Sequence, residues 1–162
     1  MSKKPIKRSS ELITLSREHH YSLLFSWKIT KGLKNNIPTE RIIRYVRHFW
    51  EHHLQQHFKQ EQVVLFHKVK DDLLVKEVWK EQEETAQKIA AIIDGKENSE
   101  AQRAALETLA TMITTLVRKE ERDLFPEIEQ SISGQALVQA AKELEHMQPE
   151  PLQDDYDDEF WV

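Results

Sequence analysis

His53, His57 and Glu61 stand at positions i, i+4 and i+8, a spacing that stacks three side chains on one face of a helix. Imidazole nitrogen and carboxylate oxygen both ligate transition metals, so the column is a candidate edge of a metal site. Val46, Phe49 and Trp50 precede it and Val64 and Leu65 follow it, which makes the face partly apolar. Glu61 is the sharpest member, because a carboxylate in a core is costly unless paired, protonated or metal-bound. Lys59, Arg118 and Arg122 offer salt bridges as the plain alternative.

Further donors lie elsewhere in the chain. His20 sits in an apolar stripe near the N-terminus, and its neighbour His19 is the alternative; of two adjacent histidines, at least one faces water. Glu120 and Glu121 are flanked by Val117, Leu124 and Ile128, so at least one points inward. The candidate metal ligands are therefore His20, His57, Glu61, Glu120 and Glu121, with His53 and His19 as further candidates. Two imidazoles and two carboxylates make a hard, mixed site suited to iron, manganese or zinc. His53 can equally pack against the first helix. His48, His52 and His67 have no partner pattern and read as surface residues.

Helices must position these groups. Three Gly and five Pro in 162 residues, with 31% charged and 39% apolar, favour long helices in one domain. Ser9 or Ser10 caps a first helix whose stripe contains Leu12, Ile13, His20, Leu23, Leu24 and Trp27; Gly32 and Asn35-Asn36 end it. Pro38 opens a second helix through Ile42, Ile43, Val46, Phe49 and Trp50 to about His67. Asp71 and Asp72 start a third, carrying Leu73, Leu74, Val78, Trp79, Ile89 and Ile92 to Asp94-Gly95. Asn98 or Ser99 opens a fourth through Leu106, Leu109, Ile113, Leu116, Val117, Leu124 and Ile128. Ser133 and Gly134 precede a shorter helix at 135–147. The expected fold is an all-α, up-down-up-down four-helix bundle over residues 1–148, with a short extra C-terminal helix. An acidic aromatic tail at 149–162 is either disordered or pinned by Phe160 and Trp161.

Composition removes several functions. No cysteine is present, which excludes disulfides, thiolate clusters and cysteine nucleophiles. The basic start MSKKPIKRSS lacks a signal peptide's apolar run, and no stretch approaches the ~20 apolar residues of a membrane span. A net charge of −5 argues against nucleic acid as partner. A soluble, cytoplasmic protein is expected. Glu143-Leu-Glu-His146 supplies Glu-x-x-His once, and the ferritin-like carboxylate class needs it on two helices. No His-Glu-x-x-His motif, nucleophile or base marks a zinc hydrolase or another enzyme.

Three segments carry a resemblance: Ser16-Arg17-Glu18-His19-His20 with Leu23-Leu24, His57-Phe58-Lys59-Gln60-Glu61-Gln62 with Leu65-Phe66, and Glu120-Glu121-Arg122-Asp123-Leu124-Phe125-Pro126. Together they resemble the hemerythrin-like (HHE cation-binding) family, from about Leu12 to Ile128. Trp27-Lys28-Ile29 with Gly32, and the closing Asp158-Glu159-Phe160-Trp161, resemble a bacterial subgroup. The resemblance implies a four-helix bundle around a non-haem di-iron site, used for oxygen binding, iron or oxygen sensing, or responses to nitric oxide or peroxide. It maps the first-helix histidine onto His20 or His19, the second-helix pair onto His57 and Glu61, and the bridging carboxylate onto Glu120 or Glu121. Two positions depart from the pattern. The third-helix Glu-His reads Glu81-Gln82, and the histidine four residues before the double Glu is Leu116. Gln82 can still ligate through its carbonyl, and Glu83, Glu84 or His53 can substitute.

The expectation is a reduced non-haem iron site, one iron or a weak pair, serving iron, oxygen or nitric oxide sensing or handling. A small diatomic ligand and a homodimer are compatible with it. The alternative is a metal-free bundle acting as an interaction or regulatory module, its cavity repacked by Leu116.

Overall fold

The computed structural model describes residues 8–147 and 152–162. The basic segment 1–7 and the expected boundary at 148/149 lie outside the described residues. Those described contain helices and no strand.

Helix α1 spans Ile13–Lys34. Leu12, not a serine, occupies its N-cap, and no side chain caps it; the Ser9 amide instead bonds to Glu129. Asn36 takes a left-handed turn at φ 56°, and the Ile37 and Asn36 amides close on Gly32 and Leu33. The chain reverses there, as the asparagine pair indicates.

The second rod is helical from Thr39 to Val69 but not uniformly so. Helix α2, Thr39–Phe49, runs into a π turn, Trp50–Leu54; helix α3, Gln55–Gln60, runs into another, Glu61–Leu65; a 3₁₀ turn, Phe66–Val69, closes it. Asp72 then caps α4, Leu73–Asp94, accepting from the Leu74 and Val75 amides. Asn98 caps α5, Ser99–Lys119, accepting from Ala101. A third π turn, Glu120–Leu124, leads into α6, Phe125–Ser131, and α7 spans Gly134–Met147.

The long helices form a closed ring in which α1 packs on α5 and α2, and α4 packs on α5 and α2. The buried face of α5 is the expected one: Leu106, Leu109, Ile113, Leu116 and Val117 all lie in the core. The face of α1 is not. Ile13, Leu23 and Trp27 are exposed, and the core receives Leu15, Glu18, His19, Ser22, Phe25, Ser26, Lys28 and Ile29. Polar residues outnumber apolar ones on that inner face, and of the expected stripe only Leu12 is fully buried and Leu24 half-buried.

The tail is pinned. Phe160 is buried against Tyr45, and a Cβ on Gly32 would come within 2.8 Å of its ring. Arg41 holds Asp158 through two hydrogen bonds. Lys28, itself buried, pairs with Asp154 at 2.7 Å and lies 3.9 Å from the Trp161 ring centre. No helix among the described residues is long and apolar enough to cross a membrane.

Candidate metal centre

Four buried side chains meet in the bundle: His19 from α1, His57 from α3, Glu61 from the π turn after α3, and Glu120 from the π turn after α5. One ligand atom from each lies within 4.8 Å of the others. The imidazole centres are 4.9 Å apart. His19 Nε2 approaches Glu120 Oε2 at 2.8 Å, and His57 Nε2 approaches Glu61 Oε1 at 3.0 Å. Nevertheless His57 Nε2, Glu61 Oε2 and Glu120 Oε2 are buried and make no hydrogen bond. These contacts are close in distance but not aligned as hydrogen bonds.

Each imidazole is braced from behind. Glu18 Oε2 lies 2.6 Å from His57 Nδ1, and Glu121 Oε1 lies 2.6 Å from His19 Nδ1. An ionised carboxylate only accepts, so it places the proton on Nδ1 and leaves Nε2 as the inward-facing atom. Both braces cross between helices: Glu18 belongs to α1 and steadies α3, whereas Glu121 belongs to the fourth rod, Ser99–Lys119 with its π turn and α6, and steadies α1. Arg8 pairs with Glu121 and Glu129 in turn. Phe125 stacks on His19 at 5.2 Å between ring centres.

Electrostatics in the metal-free protein follow from burial and pairing. Burial disfavours the His19 imidazolium, but Glu120 and Glu121 override it and raise its pKa to about 9. His57 is likewise raised well above 6.5: burial opposes the charge, and Glu61 and Glu18 outweigh it. Burial and the neighbouring Glu120 push Glu61 up to about 8. Glu120 goes the other way, to about 2, because His19 overcomes its burial. Two carboxylates in one site thus take different protonation states.

The sequence candidates fall in different places. His57, Glu61 and Glu120 are brought together. His20, the first choice on α1, is exposed, and His19 takes the inner position; an adjacent residue lies about 100° round the helix. Glu121 touches the cluster only through His19. His53 drops out of the column, because the π turn Trp50–Leu54 shifts the helical phase between it and His57. It is half-buried beside Phe49, His48 and His52.

Gln82 is wholly buried but presents its amide nitrogen, not its carbonyl, to Glu61 and Glu120. Glu83 and Glu84 are exposed, as are Lys59, Arg118 and Arg122, so none of those cations pairs with Glu61. Leu116 lines a cavity of about 10 Å³ beside His19, His57 and Glu120. Sequence reasoning missed Glu18; the signal available was an acidic residue directly before the histidine pair.

The model of the hemerythrin HHE cation binding domain matches residues 13–128. The chain belongs to this family. No curated protein and no solved structure matches it. The buried cluster falls inside the matched span, and together they indicate a metal-binding helical domain. The HHE pattern explains the helix order and the His57–Glu61 pair. It does not explain Gln82 or Leu116, the two positions at which the sequence resemblance marks a departure.

Proposed function

We propose that this HHE domain holds one non-haem iron ion on His19, His57, Glu61 and Glu120, in a role of sensing or handling iron, oxygen or nitric oxide. The observation that carries the reading is the set of three buried, unbonded atoms, His57 Nε2, Glu61 Oε2 and Glu120 Oε2. A buried polar atom without a partner costs about 1–3 kcal/mol, and one cation would satisfy all three. Two imidazoles and two carboxylates without thiolate suit iron better than a soft ion such as copper(I). Bound iron would supply an open coordination position for a small ligand. The chain supplies the rest: Glu18 and Glu121 orient the imidazoles, and Leu54, Phe58, Ile113, Leu116 and Val117 line the cavity beside them. At about 10 Å³ that cavity is at the lower limit for a single water.

Elemental analysis of protein expressed with excess iron and purified without chelator tests the reading. Near-stoichiometric iron is expected in the wild type and none in His57→Ala; iron retained by the variant rejects the assignment. A second reading, a metal-free bundle for protein contacts, draws on Leu116 and on the Gln82 amide that holds the two carboxylates. Under it a chelator leaves Tm unchanged, whereas a bound ion stabilises by mass action and its removal lowers Tm.

A further inference from the structure

Gln82 lies in the middle of the buried face of α4, and its amide turns its nitrogen towards the cluster. Its Oε1 accepts from Gln62 Nε2 at 2.9 Å. Its Nε2 therefore faces inward, where it donates to Glu61 Oε1 at 3.0 Å and to Glu120 Oε1 at 3.1 Å. A primary amide has two N–H donors, and these two oxygens use both. Flipping the amide would aim its carbonyl at the two carboxylates instead of a donor.

Two carboxylates side by side need a proton, a cation or a hydrogen-bond donor between them. Gln82 is that donor. It caps Oε1 of each carboxylate and leaves each Oε2 unbonded. The amide nitrogen offers no lone pair to a metal, and its protons are not released near neutral pH. Leu116, lining the cavity beside His19, His57 and Glu120, offers no ligand atom either.

We propose that Gln82 is the residue that limits this centre to a single metal ion: its amide occupies the position bridging Glu61 Oε1 and Glu120 Oε1 where a second ion would sit. The inference rests on the reading that His19, His57, Glu61 and Glu120 bind metal, and it adds what sets the count. Gln62 is a positioning residue, acting through the direction of the Gln82 amide.

The test compares metal content of the full chain in three forms: wild type, Gln82→Glu and Gln82→His. Each is loaded anaerobically with ferrous iron, desalted and analysed by plasma mass spectrometry, with circular dichroism to establish folding. Gln82→Glu replaces the donor with a third carboxylate, and Gln82→His supplies an inward lone pair at similar volume. One ion per chain is expected in the wild type and a rise towards two in whichever variant folds. One ion in the wild type and one in both folded variants overturns the role of Gln82 and leaves the metal site standing. Two ions in the wild type also overturn it. No ion in any form sinks the metal reading itself.

Discussion

Glu18 and Glu121 touch the candidate centre only through the far nitrogens of His57 and His19, yet the orientation of both rings depends on them. Glu18→Gln keeps the shape and removes the charge that fixes the His57 proton. Metal affinity should fall about 10–100-fold, the usual effect of losing such a brace, measured by competition with a chelator. His20→Ala, on the exposed side of α1, should leave affinity unchanged. The same groups set an opposite pH dependence for the empty and filled protein. His19 and His57 carry pKa values raised above 6.5, so their stabilisation is complete below pH 6.5 and lost as pH rises past about 9 for His19. Glu61, raised from 4.5 to about 8, favours its protonated form and adds a loss between those values. Glu120 and Glu121, both lowered, stabilise above pH 4.5 and lose that as pH falls. Tm of the chelated protein should peak near pH 5 and decline to pH 9. The increment from added iron should grow over the same range, because protons compete for the ligands. Parallel thermal melts check both slopes; an increment that shrinks with pH contradicts the ligand set. At this scale the sequence is half legible. His57 and Glu61 follow from four-residue spacing, but choosing between His19 and His20 needs the phase of α1. Glu18, His19, Ser22, Ser26 and Lys28 make its buried face polar, and a reading by hydrophobicity selects the opposite side.

Three π turns interrupt the second and fourth rods, and two of them open on the cluster carboxylates, Glu61 and Glu120. A π turn closes its hydrogen bond one residue later than an α turn, so it stores an extra residue and rotates the helix beyond it; such turns concentrate at functional sites. Removing one exposed residue from the turn Glu61–Leu65, Val63, should let it relax to α-helix. Closing the turn would re-aim Glu61, the residue at its head, relative to His57. Helical circular dichroism is expected to survive this deletion while iron binding is lost. A folded variant that keeps its iron would show that the turn does not place Glu61. Two of the three expected caps hold, Asp72 and Asn98, each accepting backbone donors, while no serine caps α1; Asp72→Ala should cost about 1 kcal/mol in a denaturant titration. Caps are written in single residue types, so sequence reveals them. A π turn has no such signature, being imposed by the packing of neighbouring helices. That is why the His53–His57–Glu61 column reads as straight in the sequence and is broken in the fold.

Across the whole molecule, the last residues of the chain close on the C-terminal half of α1, away from the metal cluster. Trp27-Lys28-Ile29 with Gly32 and the closing Asp158-Glu159-Phe160-Trp161 stood out as separate stretches in the sequence. In the fold Lys28 lies against Trp161 and Gly32 against Phe160. Sequence could mark the residues but not their meeting, because nothing local encodes a contact between α1 and the last residues of the chain. The buried Lys28 ammonium is tolerable because Asp154 pairs with it and two aromatic rings lie close by. His19 and Gly32 are thirteen residues apart on α1, about 20 Å at the helical rise, so the clamp and the cluster are separate features of one bundle. Phe160→Ala removes a buried ring, a change that costs about 3–5 kcal/mol in a core. For a chain of this size, that lowers Tm by roughly 10 °C. Gly32→Ala should act in the same direction by driving a methyl group into the ring that fills the space above the glycine. In both variants iron stoichiometry should equal that of the wild type, since among the described residues no cluster ligand or brace touches the tail. Thermal melts paired with metal analysis read both effects at once. A tail variant that keeps its Tm contradicts the clamp, and one that loses iron while still folded shows that the two ends of the bundle are coupled.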